Sequence, residues 1–244
     1  MSGIFNLDID SYNVNELKNI LNLKNPFTLE DIVNNENLLR EKLLMDKSIS
    51  QDKRKDIIKF LYDYLLMKRE LCKSLHKYNL VSMFDTSFGI IGSDGQIDQN
   101  NVYSCYGDLA IDVLLKKTMS HVENIIKLKL QPNYSYLRIY EEGNELKPHI
   151  DRMACEFSTT LNIGGDPWSI YLKDKKNKNI EVKLKPGDML IYKGQELTHW
   201  RKKFEGDMCI QVFLHYNQVG VGRLYDGRPC LGSAADTRLD DKKI

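Results

Sequence analysis

His149-Ile150-Asp151, and a second histidine, His199, on a later segment, are the residues of this chain whose types and spacing could do chemistry. Two imidazoles and one carboxylate form a facial ligand set that suits a ferrous ion and leaves coordination positions open. The spacing has a physical reason. In an extended strand residues i and i+2 point to the same face, so His149 and Asp151 are expected to aim at one point. His199 must then arrive from a distant strand, as it can in a closed barrel or a jelly roll. His-x-Asp alone is a short pattern that arises by chance, and on an exposed strand it is only a polar pair. Its surroundings decide.

Those surroundings read as a run of short strands. Tyr134 to Tyr140 alternates, with Tyr136, Arg138 and Tyr140 on one face. Glu141 to Asn144 supplies a turn, and the chain re-enters at Pro148 to Asp151. Ser158 to Ile163 is rich in β-branched residues and ends in Gly164-Gly165-Asp166-Pro167, a turn signal. Trp168 to Leu172, Ile180 to Leu184, Met189 to Tyr192 and Met208 to Tyr216 follow, separated by the charged loop 173–179 and by Lys185-Pro186-Gly187-Asp188. Short strands at this spacing, punctuated by Gly, Pro and Asp, predict a double-sheet jelly roll.

Taken together, Arg138-x-Tyr140-x-x-Gly143, His149-x-Asp151-Arg152, the Lys185 to Asp188 turn, Tyr192 and Glu196-Leu197-x-His199-Trp200-Arg201 resemble the 2-oxoglutarate/Fe(II)-dependent dioxygenases, most closely their prolyl-hydroxylase-like branch. The resemblance spans roughly residues 100–217. It implies a double-stranded β-helix core, with ferrous iron on His149, Asp151 and His199, and 2-oxoglutarate and O2 as co-substrates. Succinate and CO2 would be by-products, ascorbate a further candidate cofactor, and Tyr140 a co-substrate-binding tyrosine. The implied activity is that of a dioxygenase, an oxidoreductase hydroxylating an unactivated C–H bond. A peptidyl side chain such as proline is the first expected substrate, so a peptide or protein partner is expected. Oxidative demethylation of a nucleic-acid base is the alternative within enzymes, and a non-catalytic jelly-roll binding or structural module the alternative outside them.

One departure from the family pattern matters. The family places Arg or Lys about ten residues after the distal histidine, against the far carboxylate of 2-oxoglutarate, and here Cys209 stands at that position. A buried carboxylate still needs a cation. Arg201 shares a strand face with His199, and Arg138 shares one with Tyr140. Either guanidinium could grip a carboxylate through two parallel hydrogen bonds. Arg201 is the first choice and Arg138 the second, with Gln211, on the face of Cys209, adding a neutral hydrogen bond. Plainer roles are assigned elsewhere. His215 is expected to be a hydrogen-bonded wall residue, His76 and His121 structural or solvated, and Trp168 and Trp200 packing residues. Arg138 could instead pair with Glu141 or Glu142, and Arg152 is either a surface residue or a substrate contact.

Composition bounds the rest. The chain has 244 residues, 42% hydrophobic and 28% charged, with a net charge of +1. That is enough apolar material for a proper core and gives no case for a basic nucleic-acid surface. Five cysteines, at 72, 105, 155, 209 and 230, are odd in number and lack short paired spacings, which argues against a disulfide scaffold or zinc site and for a reducing, cytoplasmic compartment. No stretch approaches a transmembrane length, and no signal-peptide pattern opens the chain, so no membrane partner is expected.

The domain division expected is an N-terminal helical region at 1–80, the oxygenase domain at 81–219 and an irregular tail at 220–244, an α+β protein overall. Asn13 and Thr28 are candidate caps of two helices. Ser50 is expected to cap a third, running to about Leu75, with Ile57, Ile58, Leu61, Tyr64, Leu65 and Leu71 on its apolar side. The segment 83–101 reads as a strand and a loop. Residues 107–130 show a helical period through Leu114, Leu115, Val122, Ile125 and Ile126, fit to buttress one sheet. The first helices loosely resemble short helical segments of large DNA viruses and phages. Packing on the barrel is their foremost expected role, and their partner is open.

Overall fold

Apolar residues at helical spacing between 51 and 77 form helix α1 (Gln51–Lys77) in a computed structural model, which describes residues 51–81, 88–91, 102–174 and 177–220. The helices expected from Asn13 and Thr28, the cap at Ser50, Cys230 and the tail beyond Gly220 lie outside the described residues. Helix α1 buries Leu61, Leu65 and Cys72, four and seven residues apart, with Ile57, Ile58, Tyr62, Tyr64 and Leu66 packed beside them. Leu71, expected on the apolar side, is 47% exposed. Its neighbour Cys72 takes the inward position, because the helical period rotates the stripe past Leu71. Helix α2 (Leu109–Ile126) is capped by Asp108, whose side chain accepts from the backbone N–H of Ala110 and Ile111. It buries Ile111, Leu115 and Val122 on the same core.

Both helices cover one face of a six-stranded antiparallel sheet. Its order is β1 (Ile90–Ile91), β2 (Tyr103–Tyr106), β3 (Leu130–Glu141), β10 (Met208–Gln218), β5 (Phe157–Gly165) and β8 (Met189–Tyr192). A four-stranded sheet runs in the order β4 (Leu146–His149), β9 (His199–Arg201), β6 (Ile170–Lys173) and β7 (Asn179–Val182). From β3 to β10 the chain passes back and forth between the two sheets, and strands far apart in sequence lie side by side. This is a double-stranded β-helix, the jelly roll read from the strand spacing.

The alternation along the long strands explains how one sheet serves two environments. On β3, Leu137 and Ile139 face the helices, while Tyr134, Tyr136, Arg138 and Tyr140 face the interior of the roll. On β10, Ile210, Val212, Leu214 and Tyr216 join the helical core, while Phe213 and His215 face inward. Phe157, Leu161 and Ile163 of β5 do the same as the helix-facing set. The large apolar core therefore sits between sheet and helices, and the space between the sheets holds polar and aromatic side chains with smaller apolar clusters around Leu146 and around Ile170 and Leu172. None of the described helices is long and apolar enough to cross a membrane.

Candidate metal centre and adjoining cavity

Three short elements bring the sequence-predicted ligands together. His149 ends β4 and pairs across the ladder with His199, the first residue of β9. That pairing sets their rings 4.3 Å apart, centroid to centroid. Asp151 is not on a strand with His149, as the i, i+2 argument expected, because β4 stops at His149. The carboxylate reaches the same point by another route. The Asp151 N–H donates to the Gly194 carbonyl (2.8 Å), and the Ser158 hydroxyl donates to Asp151 Oδ2 (2.7 Å). Asp151 Oδ1 then lies 3.7 Å from His149 Nε2 and 3.5 Å from His199 Nε2. Gly194 is required by space, since a Cβ there would collide with the Asp151 carboxylate and the Ser158 hydroxyl.

The second partners of the two rings fix their chemistry. His149 Nδ1 lies 2.8 Å from the Lys147 carbonyl, and His199 Nδ1 lies 2.9 Å from the Leu197 carbonyl. A carbonyl only accepts, so each Nδ1 carries a proton, and in the neutral ring Nε2 turns a lone pair to the centre. One ligand atom from each of His149, Asp151 and His199 lies within 4.8 Å of the others. Burial and the neighbouring His199 lower the His149 pKa, which favours the neutral ring. Burial pushes the Asp151 carboxyl up, but the contact with the His199 ring and the hydrogen bond from Ser158 outweigh it and hold the group well below the usual carboxylate range. Two imidazole nitrogens and one carboxylate oxygen are a donor set that a divalent cation such as Fe(II) takes.

A cavity of about 300 Å³ opens beside this cluster. Its aromatic wall includes Tyr106, Tyr134, Tyr136 and Phe213, with Tyr106 stacked on Tyr136 at 4.2 Å. Arg138 and Arg152 bring guanidiniums to it. Arg138 Nε donates to the Tyr136 hydroxyl (2.7 Å) and Arg152 Nη2 to the Tyr134 hydroxyl (3.1 Å). Glu141, one of the partners considered for Arg138, meets Arg69 of α1 at 3.4 Å. His215 lines the cavity as the wall residue expected, with Nδ1 3.1 Å from the Ser158 hydroxyl. Burial is the main reason its pKa falls to about 4. Asp151, Cys155 and His215 form a second group whose ligand atoms lie within 4.8 Å of one another.

Arg201 is fully buried on the inward face of β9. Its Nη1 donates to the Trp168 carbonyl (2.6 Å), and Nη2 to Gln211 Oε1 (3.1 Å) and Thr160 Oγ1 (3.3 Å). The guanidinium lies 5.1 Å from the Trp168 ring centre. The Gln211 amide is already engaged, accepting from Arg201 and Thr160 and donating to Cys209 Sγ (3.1 Å). Two buried polar atoms are left without a hydrogen-bond partner here, Arg201 Nε and the Tyr140 hydroxyl. Leaving such groups unmade costs about 1–3 kcal/mol each, so they mark a place shaped for a polar guest. Trp168 packs edge-on against Tyr140 and beside Phe204, and Trp200 stacks on Tyr171.

Ser158, Thr160 and Gly194 were not singled out from the sequence. The Ser158-Thr159-Thr160 run shows a strand whose alternate hydroxyls share a face. Which face turns inward depends on the pairing of β5 with β10, where His215 stands opposite Ser158 and Phe213 opposite Thr160.

No protein-family model matches the sequence, and no curated protein matches it. Among solved structures, similarity is found to AviO1 from Streptomyces viridochromogenes Tue57 (12% identity, 65% of this chain and 84% of that one, TM-score 0.49). It is also found to a prolyl-4-hydroxylase from Pseudomonas putida (11%, 64% and 88%, 0.43). A third is an oxidoreductase of the 2OG-Fe(II) oxygenase family from Burkholderia pseudomallei (10%, 50% and 70%, 0.44). At such values the fold assignment rests on the strand order itself.

Proposed function

We propose that this chain is an Fe(II)- and 2-oxoglutarate-dependent oxygenase that hydroxylates a C–H bond, with a peptidyl side chain such as proline as the first substrate class. The observation that carries this reading is the convergence of His149 Nε2, His199 Nε2 and Asp151 Oδ1, each orientation fixed by a second hydrogen bond. The donor set fits a ferrous ion, and the Tyr140 hydroxyl and Arg201 Nε, both buried without partners, fit the far carboxylate of 2-oxoglutarate. With both bound, the iron and co-substrate would activate O2, the oxidant, for attack on an unactivated C–H bond.

The protein's own part is orientation and exclusion. The backbone carbonyls of Lys147 and Leu197 hold the imidazoles in one tautomer. Ser158 keeps Oδ2 of Asp151 turned away, so that Oδ1 faces the centre. Arg201, held by Trp168, Thr160 and Gln211, needs no reorganisation to meet an anion, which keeps the binding cost low. The aromatic wall keeps water from the reacting carbon.

Anaerobic addition of Fe(II) and 2-oxoglutarate should give the weak visible charge-transfer band of the chelate, lost in His149→Ala, Asp151→Ala and His199→Ala. Aerobic incubation with Pro-rich peptides should couple succinate formation to a gain of one oxygen on the peptide. Absence of the band in the native chain overturns the oxygenase reading. Inert peptides with formaldehyde release from methylated single-stranded DNA would move the substrate to a nucleic-acid base.

A further inference from the structure

Beside the metal cluster the cavity wall brings a thiol against a phenol. Tyr134 lies on β3, and Cys155 follows the Asp151 ligand in a turn where its N–H donates to the Arg152 carbonyl (2.9 Å). The Tyr134 hydroxyl and Cys155 Sγ are 3.0 Å apart, and both residues line the cavity. The O–H bond of a phenol lies near the ring plane and is bent away from the C–O axis. A sulfur in hydrogen-bond contact with that oxygen therefore sits toward one of the two ring carbons next to it.

The surroundings hold the pair in this arrangement. Both residues are buried, and the Tyr134 ring is tilted against Tyr106 (5.8 Å) and His215 (4.7 Å). Arg152 Nη2 donates to the Tyr134 hydroxyl (3.1 Å). Asn133 Nδ2 donates to the Ala154 carbonyl (2.6 Å), which fixes the backbone just before Cys155. A buried thiol is ordinarily inert. Position separates Cys155 from Cys72, Cys105 and Cys209, which are buried too, because of these four it alone lines the cavity. Its sulfur lies within 4.8 Å of a carboxylate oxygen of Asp151, so oxidant made at the metal centre meets this thiol first.

We propose that Tyr134 and Cys155 are a self-modification site, where oxidation at the adjoining centre joins Cys155 Sγ to the Tyr134 ring carbon beside the hydroxyl as a thioether. The proposal rests on reading His149, Asp151 and His199 as the iron site of an oxygenase. The S–H bond and one ring C–H bond break and a C–S bond forms, which releases two protons and two electrons. One oxygen atom of O2 enters succinate as 2-oxoglutarate loses CO2, and the other takes those protons and electrons and leaves as water. Without 2-oxoglutarate, O2 takes them alone and leaves as hydrogen peroxide. The link forms once per chain, removes an oxidisable thiol from the wall, and leaves the phenol hydroxyl in place for Arg152.

The test starts from the full chain purified metal-free without oxygen, then exposed to air with Fe(II) and 2-oxoglutarate, with Fe(II) alone, or with neither. Trypsin cuts after Lys129, Arg138, Arg152 and Lys173, so Tyr134 and Cys155 fall on separate peptides. Mass spectrometry should find these two peptides joined in the iron samples, two hydrogens lighter than their sum and unbroken by reductant. The joined species should be lost in Cys155→Ser and in Tyr134→Phe, and the second variant also rules out Tyr136 on the same peptide. Melting temperatures near that of the native chain establish that both variants fold. Unjoined peptides in every native sample overturn the proposal. So does oxygen added to Cys155 or Tyr134 in place of the link, or a link formed equally in air without iron. Succinate without the link sinks the cross-link and leaves the oxygenase reading standing. The link without succinate keeps the cross-link and sinks the 2-oxoglutarate reading.

Discussion

At the scale of single residues, the orientation of one carboxylate decides the centre. Asp151 lies outside any strand, so nothing in the sheet ladder aims it. The work falls to Ser158, to the Gly194 carbonyl and to the missing side chain of Gly194. Ser158→Ala should leave the fold intact yet weaken Mn(II) binding by roughly 10–100-fold, the usual cost of losing a partner of a metal ligand. Isothermal titration reads this directly, and unaltered affinity would show that Ser158 does not orient the ligand. Gly194→Ala should do at least as much damage, since its Cβ would occupy the space of the carboxylate. A second residue-scale expectation concerns pH. Burial first, helped by the Arg152 and His199 charges and opposed by Asp151, takes His215 down to about 4, below the ordinary 6.5. Between those values the unfolded chain takes up a proton that the folded chain refuses. The contribution of His215 is therefore fully present above pH 6.5 and is lost as pH falls toward 4. From pH 6.5 to 5 it amounts to about 2 kcal/mol, measurable by urea unfolding. His215→Gln should flatten that part of the profile.

At the scale of elements, helix α1 and helix α2 are joined by one aspartate. Asp108 caps α2 with Oδ1, while Oδ2 accepts from Tyr64 (2.7 Å) and from Lys68, both on α1. Its side chain is 1% exposed, and that of Lys68 is 12% exposed. Removing one member of such a pair strands a buried charge, so Asp108→Ala should cost about 3–5 kcal/mol in unfolding free energy, cap loss included. Leu65, with no exposed surface, carries the apolar half of the same contact. Leu65→Ala should cost about 2–5 kcal/mol, seen as a lowered denaturant midpoint. Mn(II) affinity should be unchanged in the folded variant, because α1 lies on the other side of the sheet from the ligands.

At the scale of the whole molecule, α1 and α2 do for the six-stranded sheet what a second sheet does in a simple sandwich. The four-stranded sheet cannot, because the space it faces is given over to Arg138, Arg152, the histidines and the tyrosine wall. A chain beginning at Met83 retains every candidate ligand, yet it uncovers Phe157, Leu161 and Ile163 of β5. It should aggregate or bind a dye for exposed apolar surface, as large bare patches do. A soluble, monodisperse product that still binds Mn(II) would show that α1 is an accessory layer.

What the sequence by itself determined was the set of local patterns. Alternation marked the strands, helical spacing marked α1 and α2, and the Gly, Pro and Asp turns placed the breaks between them, because each depends on near neighbours alone. That His149, Asp151 and His199 are candidate ligands followed from residue type and order, and the inward face of Arg201 from its two-residue separation from His199. Tertiary structure decided the rest. β4 ends at His149, so Asp151 is aimed by Ser158 and Gly194, whose parts depend on which strands pair. Leu71 and Cys72 exchange places because a helix's inward stripe is chosen by the surface it meets. Alternation says that Tyr134, Tyr136, Arg138 and Tyr140 share a face, yet it cannot say which face is inward. That is fixed only when β10 pairs with β3 on one side and β5 on the other, setting His215 against Tyr134 and Ser158. Register over such distances is a property of the closed roll, since no local run of residues encodes it.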